Sequence, residues 1–305
     1  MTTPGSHNDT YAESYHRDFF ANFDAGVPRE QCAGPEGHNT ASIGGFVHLV
    51  PAILSTLDLS EELAVETIEQ TLALTHTSGL LARYAGMYAS MMREVILDGT
   101  EVRPLTVRYG HKIGFDVAAW TRDHSELGDT QAVATLGAAC YIESSFLVVL
   151  VLAYRYLLTV CPELLYALNY GLTSTNESAP RYRHHGDFEA AVVANTNAGG
   201  ENCHRGSVLG ALLGASVGQR RIPERFITGL ADGQRLGEQI SAFAAAVTVE
   251  EEAPHPMTEE GSSEHMMDEK EVEQAEAAAM HESEFAGYMP DLEKLNDELL
   301  PDLHK

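Results

Sequence analysis

Glycine occupies every fourth position from Gly206 through Gly210 and Gly214 to Gly218, and mostly small or aliphatic residues fill the gaps. A spacing of four puts all of these glycines on one face of a helix. A face without side chains lets a neighbouring helix pack very closely. Such a segment belongs inside a helical bundle, and the rest of the chain agrees with it. Apolar residues recur at helical spacing, and no run alternates as a half-buried strand does. The expectation is an all-α fold, and 305 residues allow one large domain or two ordinary ones.

Local signals divide the chain into helices. A stretch capped near Asn8–Thr10 carries Tyr11, Tyr15, Phe19 and Phe23 on one face, which reads as a core side, before Gly26 and Pro28 end it. Residues 32–45 read as a loop, and a helix follows over about 46–56 with Pro51 as a kink or a shifted start. Ser60 with Glu61 and Glu62 marks a helix over 61–74, with Leu63, Ile68, Leu72 and Leu74 toward the core. Another runs from after Ser78 to Leu97, where Asp98-Gly99 stops it. Further helices are expected over 107–121, 132–160 (with a break near Glu143–Ser145), 162–170, 187–195, 207–218, 223–236 and on to Val247. The most apolar run, Phe146 to Ala153, is far short of the ~20 residues a membrane span needs.

Charge divides the chain differently. Of the net −26, residues 249–305 carry −15, from 18 Asp and Glu against 3 Lys and Arg, which leaves −11 for residues 1–248. The acidic end reads as a disordered, solvated tail. Such a balance repels nucleic acid and anionic membranes, so neither is an expected partner. Four separated cysteines (Cys32, Cys140, Cys161, Cys203) without a C-x-x-C pair, and no basic-then-apolar leader, fit a cytoplasmic protein.

Chemistry concentrates where two helices meet, at Gly199-Gly-Glu-Asn-Cys-His-Arg-Gly206. Glu201, Cys203 and His204 stand close enough for one turn to gather them as metal ligands, and a cysteine beside a histidine can become a reactive thiol. The plainer alternative is a structural turn in which Glu201 and Arg205 pair and cap the next helix. His76 reads either as a site residue or as a structural histidine at a helix junction. His38, Asn39, Thr40 and Ser42 lie in a polar loop, and Arg181, Arg183, His184 and His185 form a basic island.

Four segments together resemble the ADP-ribosylglycohydrolase family. They are Ile43-Gly-Gly-Phe-Val-His-Leu-Val-Pro51, Leu74-Thr75-His76, Tyr141-Ile-Glu-Ser-Ser-Phe146, and Asp187-Phe-Glu-Ala-Ala-Val192 with Gly199 to Gly218 and Ile222-Pro-Glu-Arg-Phe226. They look like the family's G-N-G-x-A-M-R-x-x-P loop, its L-T-H motif, its Y-V-x-x-T-L helix start and its C-terminal D-F-E-E-A…G-G-D-x-D-[TS] signature. The resemblance covers about residues 10–240. It is nearest to a divergent branch that includes selenoprotein J and a group of jellyfish lens crystallins.

The resemblance implies an orthogonal multi-helix bundle over residues 1–248 that hydrolyses an N- or O-glycosidic bond of an ADP-ribosylated small molecule or protein. It implies Mg²⁺ ions that polarise the ribose and activate water. It makes Glu201 the catalytic acidic residue, Glu201, Cys203 and His204 the metal positions, and Ser42, Gly44, Gly45, His76, Gly199 and Gly200 the substrate-binding ones. Two departures stand out. No G-D-A-x-G or T-D-D-T segment is present, so the chain reads as starting inside the domain. The D-x-D-[TS] stretch is Glu201-Asn-Cys-His204, whose Cys and His suit softer metals than Mg²⁺. A catalytically silent ADP-ribose-binding or crystallin-like protein, and a redox or soft-metal role at Cys203 and His204, are the alternatives.

Overall fold

The computed structural model describes residues 12–37, 40–157 and 188–247. The helix expected over 162–170, the loop with the basic island at 181–185, and the acidic tail lie outside the described residues. So do His38 and Asn39. Among the described residues the structure is all-α: twelve helices, short 3-10 turns and one isolated bridge, with no strand.

The helices are α1 (Ser14–Asp24), α2 (Leu49–Leu54), α3 (Glu61–Ala73), α4 (Gly79–Leu97), α5 (Val102–Lys112) and α6 (Val117–Asp123). After them come α7 (Asp129–Leu136), α8 (Ile142–Tyr156), α9 (Phe188–Ala198), α10 (Asn202–Val217), α11 (Glu224–Thr228) and α12 (Gly233–Val247). Caps set several starts. The Ser60 side chain accepts from the Leu63 N–H, Ser78 from Leu81 and Asp116 from Ala119, each satisfying a backbone donor that the helix leaves open.

The interior is built on α4, α8 and α10. Phe146, Val148, Val149, Leu150 and Leu152 of α8 are fully buried, and each stabilises the fold by roughly 1.5–3 kcal/mol. α3 lies along α4, α5 along α8, and α9 against both α7 and α10. α10 in turn reaches α8, α4 and the 3-10 turn at Ile43–Phe46. Across this packing the Tyr88 hydroxyl of α4 donates to the Val208 carbonyl of α10 at 3.0 Å.

Several boundaries differ from the sequence expectation. The helix expected over 107–121 is two, α5 and α6, parted at Gly114, whose φ is +75°. There the Phe115 N–H folds back to the Gly110 carbonyl at 2.9 Å. The helix expected over 132–160 breaks at Gly137 (φ +105°), ahead of Glu143–Ser145, which open α8 instead. The stretch 223–236 divides at Gly229–Asp232, where Asp232 takes a positive φ of 65°. On α3 the buried stripe is Ala64, Ile68 and Leu72, so Leu63 and Leu74, expected in the core, lie off it and are exposed. Of the aromatic face of α1, Tyr15 is buried whereas Phe23 is exposed.

Candidate functional site

The site is assembled from five separated stretches. Ser42 is extended and forms the isolated bridge with Tyr141. Ile43 N–H donates to the Cys140 carbonyl and Ile142 N–H to the Ala41 carbonyl, both at 2.9 Å. The Ser42 hydroxyl also accepts from the Gly44 N–H at 3.2 Å, which tightens the turn.

Gly44 and Gly45 are both buried and face different neighbours. A Cβ on Gly44 would lie 2.6 Å from the Tyr15 hydroxyl and 3.2 Å from His204 Nδ1. One on Gly45 would meet Leu72 and Leu81 at 2.9 Å and His76 at 3.3 Å. The two glycines are what bring α1, the His76 junction and the start of α10 to a common point.

His76 is 2% exposed, with its ring 4.1 Å from that of Tyr15 and 6.3 Å from that of His48. Its Nδ1 lies 2.8 Å from the Thr75 hydroxyl, and its buried Nε2 has no partner. Burial, then the nearby His48, His16 and His204, lower its pKa to about 3. Burial likewise lowers His16 and His48. The His76 imidazole is therefore neutral at physiological pH.

The opposite wall is the start of α10. Gly199 and Gly200 both take positive φ, 71° and 63°. The Glu201 N–H donates to the Ala138 carbonyl at 2.8 Å, which joins this turn to the segment that holds Ser42. Glu201 Oε1 is 2.8 Å from His204 Nδ1, an ion-pair distance without hydrogen-bond angles. The Cys140 thiol is bonded by Ser42 and pushed up by burial, with the Glu201 charge adding to the rise.

Behind the wall stands Arg205, fully buried. Its Nε donates to Asn195 Oδ1 at 2.6 Å and its Nη2 to the Gly199 carbonyl at 2.9 Å. Asn195 Nδ2 donates to the Asn202 carbonyl, and Asn202 Nδ2 to the Thr196 carbonyl, both at 2.8 Å. The end of α9 and the start of α10 are thereby fixed as one corner.

The sequence candidates Ser42, Gly44, Gly45, His76, Gly200, Glu201 and His204 lie on these walls. Gly199 shapes the turn, and the space where its Cβ would lie is open. Cys203 is exposed. Helix α10 begins at Asn202, five residues before the expected start, so Cys203 sits on a helix and not in a gathering turn. Arg205 bonds Asn195 and Gly199, where a pairing with Glu201 was the alternative expectation. Sequence reasoning left out Tyr15, Cys140 and Asn195. Tyr15 carried a signal in its aromatic spacing, whereas nothing local distinguishes Asn195.

For Mg²⁺, about six hard oxygens at about 2.0–2.1 Å are required. Among the described residues no three His, Cys, Asp or Glu side chains form a metal-holding group. At the start of α10 the hard carboxylate of Glu201 is joined only by softer donors, with His204 Nδ1 2.8 Å from it and Cys203 exposed. These residues do not fit a Mg²⁺ centre.

A model of the ADP-ribosylglycohydrolase family matches residues 4–255, which takes in every stretch described above. The chain belongs to the ADP-ribosylglycohydrolase family. No curated protein sequence matches it. In this ADP-ribosylglycohydrolase-family chain, the 43–45 turn, the His76 junction and the Gly199–Glu201 corner face one another, although they are distant in sequence. No described helix is long and apolar enough to cross a membrane.

Proposed function

We propose that the chain hydrolyses a glycosidic bond of an ADP-ribosylated small molecule or protein, with the sugar meeting the partly exposed Glu201 and His204 side chains at the start of α10. One observation carries the reading. Gly44 leaves room for His204 beside the turn, and His204 Nδ1 lies 2.8 Å from Oε1 of Glu201, the acidic group of this wall. Glu201 is the general base: it takes a proton from the water that attacks the anomeric carbon, and as the bond to the acceptor breaks, the acceptor leaves with the electron pair and receives that proton from Glu201. His204 stands beside that carboxylate, and neutral His76 packs against Tyr15, whose hydroxyl lies at Gly44. Because the donor set does not fit Mg²⁺, no step is assigned to a metal ion.

A second reading, a catalytically silent ADP-ribose binder, is favoured by the same pair, since a carboxylate engaged 2.8 Å from an imidazole is less free to meet water. Calorimetric titration with ADP-ribose, together with release of ADP-ribose from an ADP-ribosylated protein, separates the two. Binding with turnover that Glu201→Gln abolishes supports the hydrolase. Binding without turnover in the unaltered protein supports the silent binder. A folded sample that binds no ADP-ribose sinks both.

A further inference from the structure

Arg205 is the largest fully buried side chain among the described residues, and it stands one helical turn beyond Glu201. Burying a guanidinium is costly unless its donors are met. Here two of them are, by Asn195 and Gly199, while Nη1 is buried without a partner. The charge is permanent, because arginine keeps its proton in proteins. Glu201 is the charged group that acts on it.

A divalent ion at the partly exposed Glu201 carboxylate would therefore stand one helical turn from a fixed, buried cation. Like charges repel strongly where water is scarce, and the start of α10 adds the positive end of the helix dipole. The side chains around Glu201 point the same way, as Cys203, a soft donor, is exposed and no three His, Cys, Asp or Glu among the described residues form a metal-holding group. We infer that this site works without a divalent metal, and that the Arg205 guanidinium is its built-in positive charge, balancing Glu201 and pinning the Gly199–Glu201 turn. Arg205 is thus a positioning residue that acts through its neighbours. The inference rests on the proposed reading of the site for its substrate, and on the buried charge alone for its exclusion of metal.

The test titrates the full chain with Mg²⁺ alone and with Mn²⁺ alone, then with ADP-ribose in EDTA and in millimolar Mg²⁺. The expected result is no saturable heat from either metal and the same ADP-ribose affinity in both buffers. Arg205→Gln, checked for fold by circular dichroism, is expected to lose at least about tenfold in ADP-ribose affinity, with Arg205→Lys recovering most of it. Saturable metal binding, a Mg²⁺-dependent gain in ADP-ribose affinity, or a folded Arg205→Gln that binds as the unaltered protein does would each overturn the inference. If Arg205→Gln does not fold, the metal titrations decide. If the unaltered protein binds no ADP-ribose in any buffer, the proposed function falls, and the metal-only titrations still answer whether the corner excludes a dication.

Discussion

The carbonyl oxygen of Ala138 occupies the place a side chain on Gly200 would need: a Cβ there would lie 2.1 Å from it. The same oxygen accepts the Glu201 N–H at 2.8 Å. One backbone atom thus dictates the residue before the catalytic candidate and anchors the candidate itself.

Gly200→Ala is therefore expected to be far more damaging than Gly199→Ala. Both positions have positive φ, which costs an L-residue about 1–2 kcal/mol. At Gly199 nothing lies within 4 Å, so that strain is the whole effect. At Gly200 a backbone atom must also move, for a total of about 3–5 kcal/mol. Urea unfolding of the two variants checks it, and equal losses would count against the geometry.

Asn195→Leu should cost about 2–4 kcal/mol, because it strips Arg205 Nε and the Asn202 carbonyl of their partner inside the protein. Thr196→Val next door, at an exposed position whose hydroxyl only reaches back along its own helix, should stay within about 0.5 kcal/mol. A small effect at Asn195 in the same unfolding experiment would mean that the corner is not held as described.

How much of this was legible beforehand follows from where the information sits. Ser60, Ser78, the His76 junction and the Gly199–Gly200 turn are local signals, and the structure uses each of them. The break at Gly137 was not legible, because it depends on Ala138 meeting Glu201 from far along the chain. Within the grouping of Glu201, Cys203 and His204, Cys203 stands apart for a geometric reason. Once α10 starts at Asn202, residues three apart share a face and an intervening one does not. A fully buried arginine is likewise invisible to hydropathy, which places such side chains outside.

Acid should weaken the fold through His76. Its pKa is about 3 in the folded protein against the ordinary 6.5. Between those values the unfolded chain binds a proton that the folded chain refuses, so stability falls as pH drops from 6.5 toward 3, by at most about 1.4 kcal/mol per pH unit. Below about 3 both states are protonated and this contribution is flat. His48, His16 and His204 act on it electrostatically, and His16 and His48, also lowered, add in the same direction. Unfolding free energies across this range should show a shallower slope for His76→Gln, and an unchanged slope would contradict the assignment.

Among the described cysteines, Cys203 should react first with a thiol reagent. It is exposed, whereas Cys32 is fully buried and the Cys140 thiol is pushed up by burial. Peptide mapping after brief alkylation reads the order directly, and faster labelling of Cys140 would mean that the wall at Ser42 opens in solution.

The bridge between Ser42 and Tyr141 closes a loop of nearly a hundred residues, and the link from Ala138 to Glu201 closes another of about sixty. Contacts so distant along the chain form late, after the entropy of closing long loops has been overcome. This meeting point therefore has no existence apart from the finished fold: helices can form early, but the place where Gly44, His204 and Glu201 come together is created in the final steps of folding. Unfolding of the native state takes the site with it.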